Sequence, residues 1–225
     1  YYTGYMVGIF TGLYFLVRLI SEYKKEDQKK ELFVLGRFTV SSLLAIAMAA
    51  PILICAMKDL MSGKLSDVYY GYEPENTTNF VFGQFFTKLL HGRYDSITNT
   101  GALPAVYCGF VMLALALVYL VLRRIKWREK IGMVLILCLL VVSFYVVKLD
   151  KVWHGFQYPN WFPYRYAFLF SFVVIYMALR AMIELSDRAW KLGRVPVYAV
   201  TVVVLLGVSV EMGSNGAAML QGLGN

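Results

Sequence analysis

Six stretches of this 225-residue sequence are apolar for about the length a helix needs to cross a bilayer. They are residues 1–20, 36–57, 102–122, 131–147, 164–183 and 195–210. A hydrocarbon core about 30 Å thick requires roughly 20 residues at the α-helical rise. The fourth and sixth stretches are short at their strict apolar limits and draw on flanking residues. Each is apolar on all sides, unlike a surface helix, and none shows the short alternation of a membrane barrel. Composition points the same way. Apolar residues make up 59% and charged residues 16%, where soluble domains carry about a quarter charged. Mean hydropathy is +0.60. The expected fold is an all-α, polytopic transmembrane bundle of about six spans, a single membrane region over 1–225.

The net charge of +8 reports topology. Three short connections, 18–37, 123–130 and 180–194, carry 15 of the 22 basic residues, among them Arg18, Lys25, Arg124, Arg180 and Lys191. The remaining seven (Lys58, Lys64, Lys88, Arg93, Lys148, Lys151 and Arg165) are spread over longer segments on the other side. The positive-inside rule makes the first set cytoplasmic. A working surface is then expected on the outer loops 58–101 and 148–163 of a multi-pass membrane protein. Charge spent on topology argues against nucleic acid as a partner; membrane lipids are the expected surroundings.

Local patterns refine the picture. Gly4, Gly8 and Gly12 lie one turn apart and predict a close helix contact in the first span, with Phe10 facing lipid. Pro51 predicts a kink in the second span. Phe82, Phe85, Phe86 and Leu89 predict a short amphipathic helix, lying in the interface or packed on the bundle. Cys55, Cys108 and Cys138 each sit in an apolar stretch without a CxxC or Cys/His partner, so neither disulfides nor a metal site is expected, and no cofactor is implied. The chain opens at Tyr1 inside an apolar segment, without a preceding methionine or charged signal region, and is expected to be an internal piece of a longer protein.

The densest patch runs from Lys148 to Tyr166. Trp153, Phe156, Tyr158, Trp161, Phe162, Tyr164 and Tyr166 read as an aromatic belt at the headgroups. A belt does not require His154, Gln157, Asn160 and Arg165 among them. Pro163 can open a helix, which would put Arg165 at a helix N-terminus where a guanidinium can grip a phosphate bidentately. Arg165, His154, Lys148 and Lys151 are therefore the candidate lipid-phosphate ligands, with Trp153, Gln157 and Asn160 supporting the site. Arg165 snorkelling to headgroups or pairing with Asp150 is the alternative.

The same patch carries a resemblance. Trp153-His154-Gly155-Phe156-Gln157, Pro159-Asn160 and Phe162-Pro163-Tyr164-Arg165-Tyr166, continued by Phe168, Phe170 and Phe172, resemble the YfhO family of bacterial membrane proteins. Tyr2 to Tyr5, Gly101 with Pro104, Tyr107, Cys108 and Gly109, Glu129-Lys130, and Glu211 with Asn215 extend it over essentially the whole chain. The resemblance implies a GT-C-like glycosyltransferase that moves a sugar from an undecaprenyl-phosphate carrier onto a cell-envelope polymer such as teichoic acid, outside the cytoplasmic membrane. It also implies a protein several times longer, with its acidic catalytic residue on an outer loop before Tyr1. No catalytic residue is then assigned within 1–225, and this piece is not expected to act alone.

Two other classes compete. A lipid or small-anion transporter or flippase would place ionisable residues at mid-membrane depth on broken helices. A structural membrane subunit would have no need of a polar cluster at 153–165.

Overall fold

A computed structural model describes residues 2–22, 28–61, 78, 80–89, 103–156 and 164–186. Among these residues the protein is helical, without a β-sheet. Helix α1 is Tyr2–Glu22, α2 Gln28–Met61, α3 the single turn Phe82–Phe85 continued by a 3-10 turn Phe86–Leu89, α4 Phe110–Val121, α5 Trp127–Tyr145, α6 Val147–Trp153 and α7 Ala167–Ser186. Among the described residues three helices are long and apolar enough to cross a membrane: Thr3–Glu22, Gln28–Cys55 and Ala167–Leu185. Helix α5 has the length as well, but Arg128, Glu129 and Lys130 occupy its first turns.

The core is built where α1, α4, α5 and α7 meet. Met6 and Phe10 of α1, Ala116 and Tyr119 of α4, Met133, Ile136, Leu140 and Phe144 of α5, and Val173, Val174 and Met177 of α7 form one buried cluster. The closest helix pair is α4 with α7, and α5 touches α1, α6 and α7 in turn. Helix α2 stands apart: no residue of its apolar window is buried, and it meets α1 through Phe38 stacked on Phe15 at 3.8 Å. Leu43, Leu44, Met48 and Ile52 are left outward, as lipid-facing side chains can be. Pro51 lies within α2, which continues past it to Met61.

Several expectations are revised. The stretch 102–122 is helical only from Phe110, because Gly109 sits at φ +93° and the residues before it are non-helical. The fourth stretch ends at Val146, whose ψ of 115° breaks the helix. Val146 forms an isolated antiparallel bridge with Thr78. The chain then re-enters a helix, so the expected outer loop 148–163 begins as α6. The sixth stretch, 195–210, lies outside the described residues.

The glycine face of α1 is not an interface among the described residues. A Cβ on Gly4, Gly8 or Gly12 would meet nothing within 4 Å. The face that packs is the one carrying Phe10, which is 6% exposed rather than lipid-facing. Close approach is provided instead by Gly132 of α5, where a Cβ would collide with the Val17 side chain of α1. The physical reason is that small residues permit close packing but do not attract; the bulky face supplies the dispersion contacts.

Candidate functional site

Helix α6 ends in a glycine cap. Gly155 takes φ +68°, the left-handed conformation that glycine adopts without penalty, and the Phe156 N–H returns to the Lys151 carbonyl at 2.8 Å. Phe156 at φ +64° and Tyr164 at φ +57° are non-glycine residues in the same region, so both ends of the segment between α6 and α7 hold strained backbone.

The cap delivers His154 to the end of α6, one turn from Asp150. Both are buried, at 2% and 0% exposure. The His154 Nδ1 lies 2.9 Å from the Asp150 backbone carbonyl and 3.3 Å from Asp150 Oδ1. Both neighbours are acceptors, so Nδ1 carries the proton and donates it to the main-chain carbonyl, while Oδ1 lies near without a hydrogen bond. The Nε2 is buried and meets no hydrogen-bond partner among the described residues.

The turn Tyr164–Tyr166, which leads into α7, packs against this end of α6. Tyr166 stacks on Trp153 at 4.9 Å, on Phe144 of α5 at 4.8 Å, and sits 5.8 Å from the His154 ring. Phe85 of the short α3 joins them through Phe144 and Phe170, so the amphipathic segment 82–89 packs on the bundle. Tyr5 of α1 donates to the Val152 carbonyl at 3.1 Å and ties a third element to α6.

The aromatic belt is thus corrected in part. Trp153, Tyr164 and Tyr166 are buried and stacked on one another's neighbours, while Phe156 points outward. Aromatic rings at a helix end can face headgroups or each other, and composition does not distinguish the two. Tyr158, Trp161 and Phe162 lie outside the described residues, as do Gln157 and Asn160.

Of the candidate phosphate ligands, Arg165 is half-buried in the turn two residues before α7, close to the helix start expected for it. Lys151 is half-buried on α6, and Lys148 is exposed. Two residues apart on a helix means nearly opposite sides, so Lys148 is not brought to the buried Asp150. Asp150 is engaged with His154, one turn along its own helix.

A second polar cluster, at the other end of α5, was not read as a site from sequence. Glu129 is 4% exposed, with Arg18 Nη1 of α1 at 4.0 Å, Arg180 Nε of α7 at 3.5 Å and the Tyr176 hydroxyl donating at 3.4 Å. Arg18 also pairs with Glu22. Next to it Lys130 Nζ donates to the Leu120 carbonyl at 2.8 Å, satisfying an end carbonyl of α4. A cavity of about 370 Å³ beside Arg18 has mixed charge, with Glu22, Lys30, Glu31 and Lys126 on its walls. In the sequence Arg18 and Arg180 read as topology signals, and an acidic residue inside a basic connection does not mark Glu129, since Glu22, Glu31 and Glu184 share that feature.

Apolar helices of spanning length, an aromatic-lined polar pair at one end and an ion cluster at the other define an all-α membrane protein. The chain belongs to the YfhO family, described as bacterial membrane protein YfhO, whose model matches residues 1–222. No curated protein and no solved structure shows a match.

Proposed function

We propose that this chain is part of a membrane-embedded glycosyltransferase with six spans, GT-C-like in architecture. The enzyme moves a sugar from an undecaprenyl-phosphate donor onto a cell-envelope polymer such as teichoic acid, at the outer face of the bacterial cytoplasmic membrane. The observation that carries this reading is Arg165, half-buried in a turn that opens α7 beside the buried end of α6. Such a position suits a guanidinium that holds the phosphate of a lipid-linked donor while the bond to the sugar breaks. Lys151 and, further out, Lys148 add positive charge. Trp153 supports the site by holding the turn through Tyr166.

A transporter is less well supported. The charged residues Arg18, Glu129 and Arg180 lie near helix ends, and the described centres of α1, α5 and α7 are apolar.

The test is an in vitro transfer assay of the complete protein with undecaprenyl-phosphate-linked sugars. Arg165→Lys keeps the charge but loses the planar fork and should slow transfer; Arg165→Gln should slow it more. Loss of a charge-assisted bond to a developing phosphate costs about 2–4 kcal/mol, roughly 30- to 1,000-fold in rate. Near wild-type turnover and donor affinity in Arg165→Gln would reduce the residue to an interface anchor.

A further inference from the structure

We propose that the cavity between α1 and α2 binds one anionic phospholipid, with a single negative phosphodiester and hydroxyls on its headgroup, as phosphatidylglycerol has. The inference is independent of the glycosyltransferase reading. It starts from shape. Phe15 of α1 stacks on Phe38 of α2 at 3.8 Å, where the two helices meet. From Phe15 the cavity of about 370 Å³ reaches Glu22, the last residue of α1, and Lys30, in the first turn of α2. That stretch of α1 is about 10 Å long at the helical rise.

Along it the walls change character. Phe15, Leu19 and Val34 are apolar, whereas Glu22, Lys30, Glu31 and Lys126 are charged. An apolar inner part and a charged mouth match the boundary between acyl chains and headgroups. The surroundings fit a lipid better than a soluble anion. Ile20, Leu32 and Phe33, next in sequence to wall residues, are exposed apolar side chains. Trp127, beside Lys126, is exposed too, as tryptophans at a membrane interface are.

Charge selects the class of lipid. Arg18 is already balanced by Glu22 and, at 4.0 Å, by Glu129. The remaining charged walls are Lys30, Lys126 and Glu31, with one positive charge in excess. A phosphodiester shared by Lys30 and Lys126 supplies the balancing negative charge, and Glu31 can accept from headgroup hydroxyls. A zwitterionic headgroup brings no net charge and leaves the excess in place.

The experiment uses the complete protein, purified in detergent and stripped of lipid. Bound lipids are counted by native mass spectrometry, and affinities are read from melting temperatures during lipid titration. The wild type should retain one phosphatidylglycerol and bind it more tightly than phosphatidylcholine or phosphatidylethanolamine. Lys30→Gln and Lys126→Gln should each weaken it about fivefold, and the double variant about 25-fold. Both lysines are exposed, so melting temperatures without lipid should stay at the wild-type value. If the double variant does not fold, the single variants decide. Lys148→Gln, at an exposed lysine of α6, should bind as the wild type does. Wild-type affinity in both single variants would overturn the proposal. So would equal weakening in Lys148→Gln, which would mean diffuse attraction by surface charge. Equal binding of the zwitterionic lipids would overturn it by removing the charge match. Glycerol phosphate or inorganic phosphate binding as tightly as the lipid would overturn it in favour of a soluble anion. A wild type that retains no phosphatidylglycerol would overturn it as well, and none of these results bears on sugar transfer.

Discussion

Glu129 shows how much a single side chain can hold. It is buried at the start of α5 and receives Arg18 from α1, Arg180 from α7 and the Tyr176 hydroxyl, so one carboxylate joins three helices. Removing one member of a fully buried ion pair costs about 3–5 kcal/mol, because the remaining charge is stranded. Here the two guanidiniums keep 36% and 32% exposure and can turn toward water. Glu129→Ala should therefore destabilise by about 1–3 kcal/mol, less than for a sealed pair. Thermal unfolding of the complete protein in detergent, compared with the exposed-site control Lys148→Ala, measures this. An unchanged melting temperature would mean that the three helices are held by their apolar contacts alone. At the same scale, His154 was picked out in the sequence by its polar company, but its partner was not. Asp150 is one helical turn away, and i to i+4 spacing becomes contact only if the segment is a helix. By its composition the segment reads as a loop.

At the scale of elements, α1 illustrates the difference between a pattern and a contact. Its Gly4, Gly8 and Gly12 lie on one stripe, whereas Met6 and Phe10 make the buried face. Gly132 of α5 is the glycine whose missing side chain allows α1 to approach, since Val17 fills the space. Gly132→Leu should thus lower the melting temperature, by the roughly 1–3 kcal/mol typical of overpacking. Gly8→Leu should leave it nearly unchanged. Equal losses at both positions would mean that the glycine stripe has a neighbour after all. The boundary between α5 and α6 was equally hidden. Val146 is a strand-favouring residue inside an apolar run, and nothing local marks it as a break. Its bridge to Thr78, 68 positions earlier in the chain, accompanies the turn in direction.

For the whole molecule the remaining question is orientation. The clustering of basic residues at 18–37, 123–130 and 180–194 predicts, by the positive-inside rule, that those connections are cytoplasmic. Cysteines introduced at Lys25, Arg124 and Lys191 should react with impermeant thiol reagents only after lysis. Those at Glu75 and Gln157 should react in intact cells whose envelope admits the reagent. Labelling of all five from outside would rule out the six-span arrangement. The class of fold was legible in the sequence because the bilayer imposes it one segment at a time: a run of about 20 apolar residues must be helical to satisfy its own backbone in lipid. The polar patch at 148–166 was legible for a similar reason, since histidine, arginine and lysine among aromatics stand out without any partner being known. The faces and pairings were not. Whether Phe10 meets lipid or Phe172, whether Trp153 meets headgroups or Tyr166, and whether Arg180 marks a side of the membrane or clamps Glu129 depend on contacts between residues far apart in the chain. Lipid and a neighbouring helix are equally apolar, so hydropathy cannot separate them. Only the packing of α1, α4, α5 and α7 against one another decided which side chains were buried, and with that which polar groups came together.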